Sequence, residues 1–255
     1  MKRMLSSLAI AAVALYLGLC ALLFVFQRQM LFLPSGTRVD ARSTDFELIN
    51  DGLHLRGWRL NPGQSRALLY FGGNAEDIGY QRDRFARWFP DHTIYLLAYR
   101  GYGASEGAPS EAALKGDALA LYDSIRSGHE SVDVLARSVG TGVALHLAAR
   151  RALGRLALIT PYDSLVAVAG RHYPLFPVDW LLRERFEAVV DAARVDLPTL
   201  LLIARQDEII PPAHAETLAR AFPQMPQLLW LDTDHNTTEM DARFALVLQR
   251  HFRDR

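Results

Sequence analysis

The stretch that most restricts the fold of this chain is Val132-Asp133-Val134-Leu135-Ala136-Arg137-Ser138-Val139-Gly140-Thr141-Gly142-Val143-Ala144-Leu145. An apolar, β-branched run enters a serine directly, and small residues lead from it into an apolar, helix-compatible segment. A strand that turns at once into a helix crowds the backbone around the turn residue, so the positions two before and two after it must be small. Here they are Ala136 and Gly140. Such a turn, a nucleophile elbow, exposes the serine hydroxyl beyond the strand end. Its usual pattern is G-x-S-x-G, and Ala136 departs from that by one methyl group. A serine that opens a helix is also an ordinary N-cap, so the motif gains meaning only if an acid and a histidine stand at other strand ends.

Residues 198–204 read as a buried strand, and Arg205-Gln206-Asp207-Glu208-Ile209-Ile210-Pro211 follow as a loop. That places Asp207 just past a strand end, where open α/β sheets carry functional groups. Residues 227–231 read as another strand and open into Asp232-Thr233-Asp234-His235-Asn236, which puts His235 in a loop before the last helix. Asp163, after the preceding strand, is a rival acid, and Asp207 is also placed to cap the helix after Pro211-Pro212; loop context favours Asp207 as the acid. Asp232 and Asp234 stand too near His235 in sequence to orient it from the correct side. Ser138, Asp207, His235 is the chain order of α/β-hydrolases and differs from the two common protease orders.

The rest of the chain has matching organisation. Phe46-Glu47-Leu48-Ile49 and Leu53-His54-Leu55-Arg56-Gly57-Trp58 predict a hairpin around Asn50-Asp51-Gly52. Buried strands are predicted at 67–71, 93–98, 132–136, 155–159, 198–204 and 227–231, with helix-period segments such as 110–127 and 140–151 between them. Strands alternating with helices imply a mostly parallel sheet with helices on both faces. The interval 160–197, after the sixth strand, is longer and rich in Pro and aromatics. Topology predicts a small cap of short helices there.

On these residues the chain resembles the α/β-hydrolases, and more narrowly their small membrane-anchored serine hydrolase branch, which includes fungal bud-emergence-type and animal depalmitoylating proteins. The resemblance covers nearly everything after the N-terminal apolar segment. It rests on Tyr70-Phe71-Gly72-Gly73-Asn74-Ala75, on Ala98-Tyr99-Arg100-Gly101-Tyr102-Gly103-Ala104-Ser105-Glu106-Gly107, on the elbow, and on the Asp207 and His235 loops. It implies an oxyanion hole made by the backbone N–H groups of Asn74 and Val139. Two positions depart from the family pattern: Gly72 stands where a histidine is usual, and Asp234 where a glycine precedes the histidine. A carboxylate beside an imidazole favours its charged form. Glu106 is typical of the family and is expected to stabilise its loop.

The 255 residues suffice for one catalytic domain. Lys plus Arg and Asp plus Glu balance at 28 each, and no basic cluster interleaved with aromatics appears, which disfavours nucleic-acid binding. Residues 5–26 carry no charge, and at about 1.5 Å per residue they span roughly 33 Å, enough for a bilayer core. Apolar residues continue through Phe26 where a signal peptide would be cut, and Leu19 before Cys20 is too large for a lipoprotein signal. The expectation is an uncleaved anchor over 1–30 followed by the hydrolase domain over 31–255. Lys2 and Arg3 against Arg28 favour a cytoplasmic N-terminus, so in a bacterium the domain would be periplasmic. A chain begun near Gly36 would retain every catalytic candidate.

The single cysteine, Cys20, allows neither an internal disulfide nor a thiol–metal cluster. His54, His92, His129, His146, His172, His214 and His251 lack a catalytic context, and none forms the i, i+4 zinc pattern with a glutamate. Gly72-Gly73 is not part of a phosphate-loop signature. The function expected is hydrolysis of an acyl ester, thioester or amide by Ser138, His235 and Asp207, without metal or organic cofactor, on a small or lipid-like acyl substrate. The alternative is a non-catalytic membrane scaffold or ligand-binding protein that keeps the fold.

Overall fold

The computed structural model describes residues 2–253. It opens with helix α1 (Lys2–Leu31), long and apolar enough to cross a membrane, and Phe32 directly after it is buried in the core. The strands are β1 (Phe46–Asn50), β2 (Leu53–Leu60), β3 (Arg66–Phe71), β4 (His92–Leu97), β5 (Ser131–Arg137), β6 (Leu156–Ile159), β7 (Thr199–Ala204) and β8 (Gln227–Leu231). They form one sheet in the order β1-β2-β4-β3-β5-β6-β7-β8. The predicted hairpin is β1–β2, with Asn50 opposite Leu53. Its turn residues Asp51 and Gly52 have φ of 51° and 74°, the left-handed pair that matches the twist of a tight hairpin. β2 joins β4 antiparallel, and every pairing from β4 to β8 is parallel.

The central strands β6 and β7 read as nearly unbroken apolar runs because they are buried on both faces of the sheet, whereas the edge strand β8 keeps exposed positions. The helices are α2 (Arg82–Trp88), α3 (Glu111–Ile125), α4 (Gly140–Ala148), α5 (Leu165–His172), α6 (Val178–Leu181), α7 (Ala188–Ala192), α8 (Pro212–Ala221) and α9 (Arg243–Arg253). Helices α3, α4, α7 and α8 lie in a row, each against the next. α2 and α9 form another layer, where Trp88 meets Phe244 and Phe89 meets Phe252. The short helices α5, α6 and α7 occupy the interval after β6 where a cap is expected.

The strand order reverses around β3, with β4 on one side and β5 on the other. In open α/β sheets the crevice beyond the carboxyl ends at such a reversal is where ligands sit. Phe71 and Ala136 are partners in the β3–β5 register, so the loop after β3 and the turn after β5 leave the sheet side by side.

Candidate active site

Ser138 leaves β5 with φ 50°, a conformation that costs a non-glycine residue about 1–3 kcal/mol and persists only where its surroundings enforce it. The enforcement is local. The Ser138 N–H donates to Ile159 O at 2.9 Å, and Gly140 presses against β3 so closely that a Cβ there would stand 2.3 Å from Phe71 O. Ala136 is fully buried, between partners Phe71 and Leu158. α4 starts without any side-chain cap. The Ser138 hydroxyl instead lies 3.1 Å from His235 Nε2.

His235 Nδ1 is in turn 2.7 Å from Asp207 Oδ2. The other carboxylate oxygen accepts the N–H groups of Ile209 and Ile210 at 3.0 and 2.7 Å, so its own loop fixes the orientation of Asp207. α8 carries no side-chain cap from it. Both Asp207 and His235 are buried. Arg137, beside the serine, donates to His235 O at 3.1 Å and ties the histidine loop to the elbow. The rival Asp163 is engaged elsewhere: its Oδ1 lies 2.9 Å from His214 Nδ1. Asp232 pairs with Arg205 at 3.0 Å. Asp234 turns its carboxylate into its own loop, accepting the N–H groups of Asn236 and Thr237 at 2.8 and 2.9 Å. Hydrogen bonding from Thr237 is the chief reason its carboxyl is held below the usual range.

The loop after β3 runs past the serine, and a Cβ on Gly73 would stand 3.6 Å from Ser138 Cβ. Among the described residues, neither the N–H of Asn74 nor that of Val139 donates to a protein acceptor. Gly72 has a steric reason: Ile78 Cγ2 stands 2.6 Å from where its Cβ would be, so a histidine does not fit unless Ile78 moves. Glu76, unremarked in the sequence, organises the loop. It accepts the Gly73 N–H at 2.7 Å and the hydroxyl of Tyr70 at 2.8 Å.

The Tyr-Arg-Gly-Tyr-Gly segment explains itself here. Tyr99 donates to Gly72 O at 2.9 Å and Tyr102 to Asn74 Oδ1 at 2.7 Å, so two phenols hold the loop that faces the serine. Burial keeps both as neutral donors, raising Tyr99 well above its ordinary value and pushing Tyr102 up to about 12. Arg100 points away and clamps Asp117 at 2.8 and 2.7 Å and Asp51 at 2.6 Å. Glu106 accepts the His54 N–H at 2.9 Å, a loop-stabilising role. Among the described residues, no group of three or more His, Cys, Asp or Glu side chains converges as a metal would need.

No protein-family model matches the chain. An uncharacterised protein of Mycobacterium tuberculosis is 30% identical over 271 residues, which cover 99% of this chain and 96% of that protein. The alpha/beta hydrolase domain-containing protein aho-3 of Caenorhabditis elegans is 30% identical over 191 residues, 72% of this chain and 56% of that protein. The enol-lactonase of Burkholderia xenovorans superposes with a TM-score of 0.65 at 17% identity, covering 82% of this chain and all 100% of that one. The chain belongs to the α/β-hydrolase superfamily. In an α/β-hydrolase the residues at the carboxyl ends of β3, β5, β7 and β8 face a common crevice, and in this one those ends carry Asn74, Ser138, Asp207 and His235.

Proposed function

We propose that this α/β-hydrolase is a membrane-anchored serine hydrolase. The observation that carries the reading is the unbroken relay Ser138 Oγ–His235 Nε2 at 3.1 Å and His235 Nδ1–Asp207 Oδ2 at 2.7 Å, drawn from three strand ends of one sheet. Ser138 attacks an acyl carbonyl while His235 takes its proton. Asp207 holds the imidazole in the tautomer that leaves Nε2 free to accept. The oxyanion is met by the N–H groups of Asn74 and Val139, each of which typically contributes about 2.7–4 kcal/mol to the barrier reduction. His235 then protonates the leaving group, and water resolves the acyl-enzyme by the same steps in reverse. Esters, thioesters and amides of a small or lipid-like acyl group all fit this chemistry.

The rival reading, a scaffold that only keeps the fold, gives no reason to hold Ser138 at positive φ against a buried His–Asp pair. α1 is read as a membrane-spanning anchor with the domain on the extracytoplasmic side. A fluorophosphonate probe tests the catalytic claim: the full-length protein labels and Ser138→Ala does not. Absence of labelling in the wild-type protein would leave the scaffold reading in its place.

A further inference from the structure

The C-terminal half of α1 does not stand clear of the domain. Gln27 donates to Leu181 O at 3.0 Å and accepts the Arg183 N–H at 2.7 Å. Arg28 meets the buried carboxylate of Glu184 at 2.6 Å, and the Arg183 guanidinium lies 3.9 Å from the centre of the Phe24 ring. Further toward the N-terminus, the Tyr16 hydroxyl donates to Leu175 O at 2.9 Å, and its ring stacks on Phe176 with centroids 5.9 Å apart. These contacts hold the cap segment around α6 along one side of the helix.

Between the two lies a cavity of about 280 Å³, walled by Leu23, Met30 and Leu31 of α1 and by Val168, Ala169 and Phe176 of the cap. Ser138 does not line it, but two residues that do are bonded to site residues. The Leu31 carbonyl accepts the Asn74 side chain at 2.5 Å. The Ile209 N–H donates to Asp207 Oδ1 at 3.0 Å. Of the α1 residues that line it, Leu23 belongs to the uncharged run 5–26, and Gln27, Met30 and Leu31 follow directly after that run. Tyr16 falls midway along the uncharged run 5–26, whose length matches a membrane core of about 30 Å. Leu175, whose carbonyl accepts the Tyr16 hydroxyl, and Trp180 of α6 are 81% and 86% exposed. Exposed apolar and aromatic side chains of that size suit the membrane interface better than water.

An apolar space, partly open to its surroundings and walled on one side by α1, is suited to an apolar chain delivered from a membrane. We infer that α1 is one wall of the acyl-chain site. A long fatty-acyl chain slides out of the bilayer between α1 and the α5–α6 segment and lies in the cavity while its carbonyl meets Ser138. This rests on the serine-hydrolase reading and adds the residues, on α1 as well as on the cap, that measure the acyl chain. α1 thus acts in specificity as well as in anchoring.

The test uses the full-length protein in phosphatidylcholine vesicles and compares kcat/KM for p-nitrophenyl palmitate with that for the butyrate. Leu23→Trp and Ala169→Trp fill the cavity from opposite walls, and each should lower the palmitate-to-butyrate ratio at least tenfold. Val25→Trp, on the exposed side of α1 and outside the cavity, should keep the wild-type ratio. Ala169→Leu, a smaller addition for use if the tryptophan variants fold poorly, should move the preferred acyl length to shorter chains. Palmitate release from a palmitoyl phospholipid and from an S-palmitoylated peptide in the same vesicles tells which carrier brings the chain, and either release must show the same sensitivity to Ala169→Trp. A ratio that both cavity-filling variants leave unchanged overturns the inference. Loss of the serine-hydrolase reading looks different: ester turnover that survives Ser138→Ala.

Discussion

The Asn74 side-chain amide donates to Leu31 O at 2.5 Å, so the last residue of α1 and the loop beside Ser138 are held as one piece. Asn74 Oδ1 also accepts the Leu33 N–H at 3.1 Å, and Phe32 between these two residues is buried in the core. From sequence, a chain begun near Gly36 keeps every catalytic candidate and should be soluble and active. The geometry gives a different expectation. Removing residues 1–35 strips two partners from Asn74, and a misplacement of about 1 Å in a catalytic group costs on the order of 10²-fold in rate. The shortened chain should therefore react with a small fluorophosphonate ten- to a hundredfold more slowly, on the order of that cost, while far-UV circular dichroism reports an intact fold. Labelling at the full-length rate would show that the loop holds its shape alone.

The relay predicts a non-additive mutant series. Ser138→Ala and His235→Ala should each lower turnover of a small ester by several orders of magnitude, and the double variant should fall little further, because the groups act as a unit. Asp207→Asn should lose about 10⁴-fold by favouring the wrong imidazole tautomer. Asp163→Asn should be mild, since that carboxylate faces His214 at 2.9 Å. Steady-state kinetics on a p-nitrophenyl ester decides this, and a large Asp163 effect with a small Asp207 effect would reverse the assignment.

The strands and the elbow were legible because each rests on a local pattern: apolar runs for strands buried on both faces, a small residue where two backbones nearly touch, and a turn dipeptide at Asp51-Gly52. Ser138, Asp207 and His235 could be placed at strand ends for the same reason. The supporting shell was not legible. Glu76 binds Gly73, Arg137 binds His235, and Tyr102 reaches Asn74, each through a geometry that no spacing announces. The docking of α1 was hidden too, because its exposed stripe and its cap-facing stripe are written in the same apolar residues. Gln27 and Tyr16 were the polar exceptions that carried the signal.

Two glycines should respond oppositely to alanine. At Gly140 the added methyl would meet Phe71 O at 2.3 Å, so Gly140→Ala should distort the elbow, abolish fluorophosphonate labelling and lower the melting temperature. Gly116 lies inside α3 with nothing within 4 Å of its Cβ position. There Gly116→Ala should stabilise by about 0.5–1 kcal/mol and leave labelling unchanged. Differential scanning fluorimetry alongside probe labelling separates the two outcomes, and equal behaviour would contradict the close approach at Gly140.

Acid stability should depend on Asp191. Burial alone would raise its pKa, but hydrogen bonds from His146 and Arg150 outweigh that and bring the carboxyl to about 2, from an ordinary value of 3.8. A group depressed in the folded state contributes stability that is present above its unfolded pKa and is lost as pH falls through the folded one. The Asp191 contribution should therefore be complete above about pH 5 and fade between pH 4 and 2. Asp191→Asn should lower the melting temperature by a few degrees at pH 7, where about 1 kcal/mol moves a domain of this size by roughly 2–4 °C. The gap from wild type should close as pH approaches 2. A gap that stays constant down to that pH would assign the effect to packing.

The anchor makes the last prediction. α1 is apolar over a length that matches a bilayer, and association through some 20 such residues is effectively irreversible. The protein should resist alkaline carbonate extraction and keep its N-terminal sequence intact; recovery of a soluble form starting after Cys20 would mean a cleaved signal instead. Lys2 and Arg3 precede the apolar run and Arg28 follows it, a charge bias that predicts a cytoplasmic N-terminus. Arg28 is committed to Glu184 within the domain, so it contributes less free positive charge at that end than its position implies. That strengthens the bias toward a cytoplasmic N-terminus and an extracytoplasmic domain. In intact cells, externally added protease that crosses the outer barrier should digest the domain, whereas protection until the anchor membrane is dissolved would invert the topology and leave the anchor in place.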